Sequence, residues 1–205
     1  VVNFAAETHN DNSVADPEPF VRTNVEGTMR LLEAARATGV RLHQVSTDEV
    51  FGDLPLGGSE RFTEDSPFDP NSPYSSSKAA SDLLVRAWVR TYGVRATISK
   101  FVPRQAIRLM RGEPACLYGD GLNVRDWIHV EDHCRAVWDI LERGEAGRTY
   151  LVGADCERSN REVLAAIMRA TGRTGAEVRH VADRPAHDRR LAIDSSRLRR
   201  ELGWR

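Results

Sequence analysis

The sequence predicts an α/β fold with a doubly wound parallel sheet. Apolar segments of strand length alternate along the chain with longer segments whose apolar residues recur at helical spacing. Glycines, prolines and capping residues separate the two kinds of segment. Such an alternation is typical of parallel strands that are covered by helices on both faces of the sheet.

The first half of the chain is predicted to contain three strands and two helices. They occupy residues 1–6 (strand), 17–38 (helix), 40–46 (strand), 72–92 (helix) and 94–99 (strand). Gly39 provides a C-terminal stop for the first helix. The second helix begins with Ser72 as N-cap and Pro73 in the first turn, and it ends at Gly93.

The second half of the chain continues the alternation. Its predicted elements occupy residues 102–111 (helix), 127–130 (strand), 131–143 (helix), 149–153 (strand), 159–171 (helix), 178–182 (strand) and 195–202 (helix). Ser159 and Glu162 form the pattern of a capping box at the start of the third of these helices.

The composition excludes several classes of protein. The 29 basic and 30 acidic residues give a net charge of −1, which does not favour binding to nucleic acid or to an anionic membrane. Cys116, Cys134 and Cys156 are widely spaced, which is typical of free thiols in a reducing cytoplasm. No apolar run is long enough to span a bilayer. We therefore expect a cytoplasmic globular protein that does not bind nucleic acid or a membrane.

A hydroxyl and two carboxyls, Thr47, Asp48 and Glu49, directly follow the second predicted strand. Adjacent acids repel each other and Asp is a poor strand former, so local structure gives little reason for this sequence. Thr8 and His9 follow the first strand, and ligands of such sheets bind beyond the carboxyl ends of the strands. The sequence thus indicates a site at this edge, with a solvated turn as the alternative.

Tyr74 and Lys78 lie at positions i and i+4 of the capped helix and therefore share a face. A neighbouring ammonium favours a phenolate, so such a pair can accept a proton from an alcohol. The alternative is an exposed pair without a function. The catalytic interpretation is favoured because Lys78 and Lys100 are the only lysines of this arginine-rich chain.

Four segments together resemble the nucleotide-sugar 4,6-dehydratases, which belong to the extended short-chain dehydrogenase/reductases. They are V-S-T-D-E-V-F-G, N-S-P-Y-S-S-S-K, Y-G-D-G-L-N-V-R-D-W-I-H-V-E-D-H and D-R-P-A-H-D-R-R. The resemblance implies a Rossmann-like NAD-binding domain, incomplete at its N-terminus, over residues 1–100. It also implies a smaller C-terminal α/β lobe over residues 101–205, which mainly binds the nucleotide sugar and returns some segments to the first domain.

The resemblance also implies a mechanism. Tyr74 takes the proton from the sugar 4-hydroxyl while hydride passes from C4 to NAD, and Lys78 supports the tyrosine. Glu49 then removes the C5 proton, Asp48 donates a proton to the departing C6 hydroxyl, and hydride returns to C6. Thr47 hydrogen-bonds the reacting hydroxyl. Asp48 and Glu49 can act together only if the backbone leaves strand geometry at Thr47, since strand neighbours face opposite ways.

The same resemblance assigns the binding residues and the substrate. The cofactor-binding residues are Phe4, Ala5, Ala6, Glu7, Thr8, Thr23, Tyr74 and Lys78. The substrate-binding residues are Thr8, Thr47, Lys100, Phe101, Cys116, Leu117, Tyr118, Arg125, Asn160, Asp183, Arg184, Pro185, Ala186 and His187. Thr-Asp-Glu points within the family to glucose 4,6-dehydratases, so the implied substrate is dTDP-glucose, whose product enters rhamnose or other deoxysugar biosynthesis. Asn160 as a cap-region amide and Cys116 as a packed thiol are equally good interpretations.

Two segments of the family pattern are absent. A G-x-x-G-x-x-G segment is expected before Val1, and an S-N-N-Y-G-P segment is expected after Ser99. We therefore interpret Ser99–Phe101 as a seam, with Lys100 either in a substrate-contacting stretch or at the end of the strand. Two other functions stay open: an epimerase or decarboxylase of another nucleotide sugar, or an inactive truncated member that acts as a binding or dimerisation module.

Two further features have alternative interpretations. His129 and His133 have the spacing of a metal pair, but no third ligand is apparent, so no metal site is predicted. The apolar faces of helical residues 23–38 and 74–92 suit either the core or the dimer interface that these helices form in the family. We expect a homodimer.

Overall fold

The computed structural model describes residues 1–101 and 115–205, and the predicted helix at residues 102–111 lies outside them. The strands are β1 (Val2–Asn3), β2 (Leu42–Thr47), β3 (Ala96–Phe101), β4 (Ala115–Tyr118), β5 (Val124–Asp126), β6 (Thr149–Leu151), β7 (Glu157–Ser159) and β8 (Val178–Val181). The α-helices are α1 (Asn10–Ala15), α2 (Glu18–Phe20), α3 (Gly27–Thr38), α4 (Pro73–Tyr92), α5 (Val130–Arg143), α6 (Asn160–Ala170) and α7 (Ser196–Leu202). A π-helix occupies Val21–Glu26, and a 3-10 turn occupies Asp48–Phe51.

The central sheet confirms the predicted fold class. Its strands have the order β1-β2-β3-β6, and all three neighbouring pairs are parallel. Two small sheets lie outside it, formed by the parallel pair β4–β8 and the antiparallel pair β5–β7. The central sheet brings the carboxyl ends of β1 and β2 to the same edge, where the Thr8 and Thr47 segments begin.

Helices cover both faces of the central sheet. Leu42 of β2 packs in an apolar cluster with Leu32 of α3 and Val85 of α4. The next residue, His43, lies on the opposite face near His133 of α5. Alternating directions along a strand explain this arrangement, so β2 is buried along its whole length.

Several predicted boundaries were wrong. The strand predicted at residues 127–130 lies instead at Val124–Asp126, because the polar β5 pairs with β7. The helix predicted at residues 17–38 is divided by the π-helix. The first strand ends at Asn3, whose side-chain oxygen accepts a hydrogen bond from Ala5 N (3.1 Å) and turns the chain out of the sheet. The short elements α1, β4 and β7 were not predicted.

Helix α4 has Ser72 as its N-cap and Pro73 in its first turn, as predicted, and Ser72 and Ser75 also form a capping box. The Ser72 Oγ accepts a hydrogen bond from Ser75 N (3.1 Å), and the Ser75 Oγ accepts one from Ser72 N (3.0 Å). Gly93 ends the helix in the left-handed conformation (φ 69°). The capping box fixes the first turn of α4 and therefore the position of Tyr74. Across the described part of the chain, the helices are too short or too polar to cross a membrane.

Replacing the cap serine is expected to destabilise the protein. Ser72→Ala removes the hydroxyl that satisfies a free N–H of α4, so the free energy of unfolding should fall by about 1–2 kcal/mol. Urea denaturation measures this change. Ser76→Ala, at an exposed position of the same helix, is the control and should change stability by less than about 0.5 kcal/mol. Equal effects of the two substitutions would contradict the capping role.

Candidate active site

A cavity of about 610 Å³ lies beyond the carboxyl ends of β1 and β2. Its lining combines residues from the first and second halves of the chain. Ten residues that were predicted as site residues line it: Thr8, Glu49, Tyr74, Cys116, Leu117, Tyr118, Arg125, Asn160, Arg184 and His187. The structure therefore brings most of the predicted catalytic and substrate-binding residues together.

The backbone leaves strand geometry directly after Thr47. Thr47 is extended (φ −134°, ψ 152°), and its Oγ1 accepts a hydrogen bond from Glu49 N (3.3 Å) at the start of the 3-10 turn. The turn ends at Gly52 (φ 89°), where a Cβ atom would lie 2.5 Å from the Asp69 carbonyl oxygen. A glycine is required at this position because both the conformation and the space exclude a side chain. This exit from the strand is the one that the predicted mechanism requires.

The Asp48 carboxyl is fully buried at the base of this turn. Its Oδ1 lies 3.5 Å from the Thr47 Oγ1, and its Oδ2 has no hydrogen-bond partner among the described residues. Burial, and secondly the neighbouring Glu49, raise the pKa of Asp48 from 3.8 to about 7, while Arg125 opposes the shift. Asp48 can therefore hold a proton near neutral pH.

Glu49 has a different environment from its neighbour. It is half-buried, it lines the cavity, and its Oε2 accepts a hydrogen bond from the Asn10 side-chain amide (3.0 Å). The turn thus places a buried acid beside a carboxylate that faces the cavity.

Tyr74 and Lys78 lie on the face of α4 that points toward β2. Tyr74 lines the cavity, and its ring contacts Phe20 edge-on at a centroid distance of 6.3 Å. Lys78 is buried, and its Nζ donates a hydrogen bond to the Val45 carbonyl of β2 (2.8 Å). Burial lowers the pKa of Lys78, and the neighbouring Asp82 opposes this shift. The Lys78 amine is therefore held at a fixed place, one helical turn after Tyr74 in α4.

The predicted cofactor segment follows β1 at the same edge of the sheet. Phe4 is 58% exposed there, and Thr23 lies partly exposed in the π-helix. The buried side chain of Asn24 accepts a hydrogen bond from Glu7 N (2.9 Å) and donates one to Glu7 O (3.0 Å). An exposed apolar side chain on a segment anchored in this way can contact a flat ligand. A π-helix within α-helical structure is frequent at functional sites.

The substrate side of the cavity contains a buried guanidinium. Arg125 donates to the Val124 carbonyl (2.8 Å) and to the Asp188 carbonyl (2.9 Å), and it interacts electrostatically with Asp48 and Glu49. Burial lowers the pKa of Arg125, and these carboxyls oppose the shift. A buried cation next to a cavity is suited to binding an anionic group of a ligand.

An aromatic residue marks the far side of the cavity. Tyr118 donates a hydrogen bond from its hydroxyl to the Asp11 carboxylate (3.1 Å), and the Arg184 guanidinium lies 5.1 Å from its ring centroid. His187 contacts the same ring edge-on, and its Nδ1 lies 2.6 Å from the Asp183 Oδ1. Asn160 begins α6 at this side.

Some predicted substrate residues do not line the cavity. Among those whose side chains the structure describes, they are Thr47, Lys100, Asp183, Pro185 and Ala186. Lys100 is buried in β3, where it forms an ion pair with Asp82. Strand β3 pairs with β2 as far as Phe101. Lys100 therefore lies at the end of the strand, which was one of its two predicted positions, and not in a substrate-contacting stretch. Asp183 and Pro185 are exposed beside the cavity.

Several residues in or next to the cavity were not predicted. Asn10 and Asp11 follow the Thr8-His9 pair directly, and their proximity to it was the available signal. Asp188 is buried beside Arg125, and it follows the predicted D-R-P-A-H run. Burial raises the pKa of Asp188 to about 6, although the hydrogen bond from Asn71 opposes this shift. In the described ranges, no group of three His, Cys, Asp or Glu side chains could hold a metal ion.

Comparison with known proteins identifies the family. The family model described as GDP-mannose 4,6 dehydratase matches residues 1–205. The chain belongs to this family. It is 58% identical to the dTDP-glucose 4,6-dehydratase of Mycolicibacterium smegmatis, over all of this chain and 66% of that protein. The match extends over 217 residues, twelve more than this chain has, so that relative contains residues that the chain lacks within the matched region.

Solved structures of similar proteins have the same fold. The dTDP-glucose 4,6-dehydratase DesIV of Streptomyces venezuelae, solved with NAD bound, has a TM-score of 0.91 and 44% identity over all of this chain and 67% of its own. The UDP-glucose 4-epimerase of Thermus thermophilus, in complex with NAD, has a TM-score of 0.90 and 32% identity over all of this chain and 71% of its own.

Asp48 should make the stability of the protein depend on pH. Its pKa in the folded protein (about 7) lies above the ordinary value of 3.8, so folding takes up a proton and stability falls as the pH rises through this window. Asp48→Asn removes this dependence. Relative to wild type, the variant should therefore be more stable at about pH 8 than at about pH 5, and the difference between its free energy of unfolding and that of wild type should increase by roughly 2 kcal/mol between these values. Urea denaturation at both values tests this, and a pH-independent difference would contradict it.

Ala186 should be less stable than glycine at its position. Its φ of 55° is left-handed, a conformation that favours glycine. Ala186→Gly should therefore raise the free energy of unfolding by about 0.5–1 kcal/mol. Ala182→Gly, at an exposed position without positive φ, is the control and should lower it by a similar amount. If Ala186→Gly does not stabilise the protein, the proposed strain at Ala186 is contradicted.

Proposed function

We propose that the protein is an NAD-dependent hydro-lyase that converts dTDP-glucose to dTDP-4-keto-6-deoxyglucose. The observation that supports this reaction best is the buried Asp48 carboxyl, which holds a proton near neutral pH beside Glu49. Loss of water from a sugar needs one group that donates a proton to the leaving hydroxyl and another that accepts one from carbon. The chain spans 66% of the length of its mycobacterial relatives, and these are named dTDP-glucose 4,6-dehydratases.

The chain's own residues divide the proton transfers among them. Tyr74 accepts the proton of the sugar 4-hydroxyl, and the fixed charge of Lys78 stabilises the phenolate that results. Glu49 accepts the C5 proton, and Asp48 donates its proton to the departing C6 hydroxyl, which leaves as water. Thr47 donates a hydrogen bond to the reacting hydroxyl. NAD, when bound, supplies the reversible hydride acceptor for this chemistry.

Binding of the two ligands is proposed for separate sides of the cavity. Residues 4–8, Thr23, Tyr74 and Lys78 would hold the nicotinamide half of NAD. Arg125 would bind the substrate diphosphate with its buried guanidinium. The remaining nucleotide contacts would come from Cys116, Leu117, Tyr118, Asn160, Arg184 and His187, which line the far side of the cavity.

Epimerisation or decarboxylation of another nucleotide sugar is the competing function. Overall fold does not separate the two, because an epimerase and a dehydratase have nearly equal TM-scores with this chain. Epimerisation at C4 requires no proton donor at C6, so a buried, proton-holding acid next to a carboxylate has no use in it. Asp48 therefore favours dehydration, and it also argues against an inactive binding or dimerisation module.

The organisation and location of the protein form part of the same proposal. Residues 1–100 would supply the cofactor domain and residues 101–205 mainly the substrate lobe. A homodimer through α3 and α4 is supported by exposed apolar side chains such as Leu83 (55% exposed). A cytoplasmic location and a place in deoxysugar biosynthesis follow from the proposed reaction.

Product analysis tests the function. The full-length protein with NAD and dTDP-glucose should yield a 4-keto-6-deoxy sugar, identified by NMR. Tyr74→Phe, Asp48→Asn and Glu49→Gln should each lower kcat by about 10²–10⁴-fold, since each removes a proton-transfer group. Tyr92→Phe, at the exposed end of the same helix, is the matched control. Turnover of another nucleotide sugar, but not of dTDP-glucose, would contradict the proposal.

A further inference from the structure

We propose that Asn10 is a positioning residue that orients the Glu49 carboxylate for proton transfer. This inference rests on the proposed function of Glu49 as the base. Asn10 is the first residue of α1, it is buried, and both ends of its side-chain amide are hydrogen-bonded. Neither the resemblance of the motifs nor the proposed mechanism assigns it a role.

The two hydrogen bonds of Asn10 connect three elements of the site. Its Nδ2 donates to the Glu49 Oε2 (3.0 Å) in the 3-10 turn. Its Oδ1 accepts from the Ser72 Oγ (3.0 Å), and Ser72 is the N-cap of α4. The carboxylate of the proposed base is therefore tied through one amide to the helix that positions Tyr74.

The direction of each bond requires an amide at this position. A carboxylate can only accept, so the group facing Glu49 must be a donor, while the group facing the Ser72 hydroxyl accepts. Rotating the amide by half a turn would place its oxygen against the Glu49 carboxylate, so the observed orientation is the favourable one. Among the described residues, Asn10 provides the one side-chain hydrogen bond to the Glu49 carboxylate.

The chain adopts an unfavourable conformation to place Asn10. The preceding residue, His9, has a φ of 76°, which is uncommon for a residue with a side chain. Its ring Nδ1 lies 2.8 Å from the Thr8 Oγ1. Such strain is concentrated at functional sites, where the surrounding structure enforces it. It occurs here between the proposed cofactor segment and the residue that contacts Glu49.

The charges around Glu49 make a neutral donor the suitable partner. Asp48 lies in the same turn, Arg125 faces Glu49 from β5, and Asp188 faces it from the segment after β8. Two of these three groups are acids. A carboxylate at position 10 would add a third, whereas an amide fixes Glu49 without changing the net charge.

Substitutions at positions 10 and 12 of the full-length protein test this role. Asn10→Leu keeps the side-chain size and removes the donor, so kcat for dTDP-glucose should fall about 10- to 100-fold, the size expected for a hydrogen bond to a charged group. KM for dTDP-glucose and the affinity for dTDP measured by calorimetry should stay close to wild type, whereas the unfolding temperature should fall by a few degrees because the hydrogen bond from Ser72 is also lost. Asn12→Leu, on an exposed position of the same helix, is the matched control and should leave kcat unchanged.

A second variant separates orientation from packing. Asn10→Asp keeps the acceptor for Ser72 but places an acid against Glu49, and it regains a donor only when protonated. Its kcat relative to wild type should therefore rise as the pH falls, whereas the ratio for Asn10→Leu should not depend on pH in this way. If wild-type protein turns over dTDP-glucose, either of two results would overturn the role of Asn10 and leave the proposed function intact. One is a kcat ratio for Asn10→Asp that does not depend on pH, and the other is an equal kcat for Asn10→Leu and Asn12→Leu. Wild-type protein that does not turn over dTDP-glucose would overturn the proposed function and this inference with it.

Discussion

The burial of the Asp48 carboxyl is the constraint on which the rest of the site depends. A carboxyl without a full set of partners is unfavourable inside a protein, and it becomes tolerable when it keeps its proton. The exit from β2 at Thr47 directs Asp48 inward and leaves its neighbour Glu49 at the cavity. Two adjacent residues of the same chemical type therefore acquire different environments from one change of backbone direction.

Three hydrogen-bonded connections hold the elements around this turn. Lys78 attaches α4 to the backbone of β2, Asn10 attaches α1 to Glu49, and Asn24 attaches the π-helix to the segment after β1. Each connection uses a side chain that is buried, so water does not compete for its partners. The consequence is that the fold itself positions the proposed proton-transfer groups, which lowers the reorganisation that a reaction would require.

The sequence predicts the elements that have local signals and fails where contacts distant in sequence decide. Helix α4 could be predicted at both ends because Ser72, Pro73 and Gly93 determine its boundaries locally. Strand β5 was misplaced because its pairing with β7 depends on residues about thirty positions away, and its polar sequence has no strand pattern. In the site, the chemical groups could be predicted from motifs, whereas Asn10 and Asp188 could not. Their roles arise only from the neighbours that folding brings to them.

The close similarity of this fold to both a dehydratase and an epimerase shows what the scaffold leaves undetermined. The parallel sheet, the Tyr-Lys pair and the cavity would serve any reaction that begins with oxidation of a sugar hydroxyl. Elimination additionally needs an acid and a base that differ in protonation at the same pH, although they are neighbours in sequence. Asp48 is buried and its pKa is raised, whereas Glu49 faces the cavity and accepts a hydrogen bond from Asn10. The specificity for dehydration would then come from the environment of the 3-10 turn rather than from the sheet that supports it.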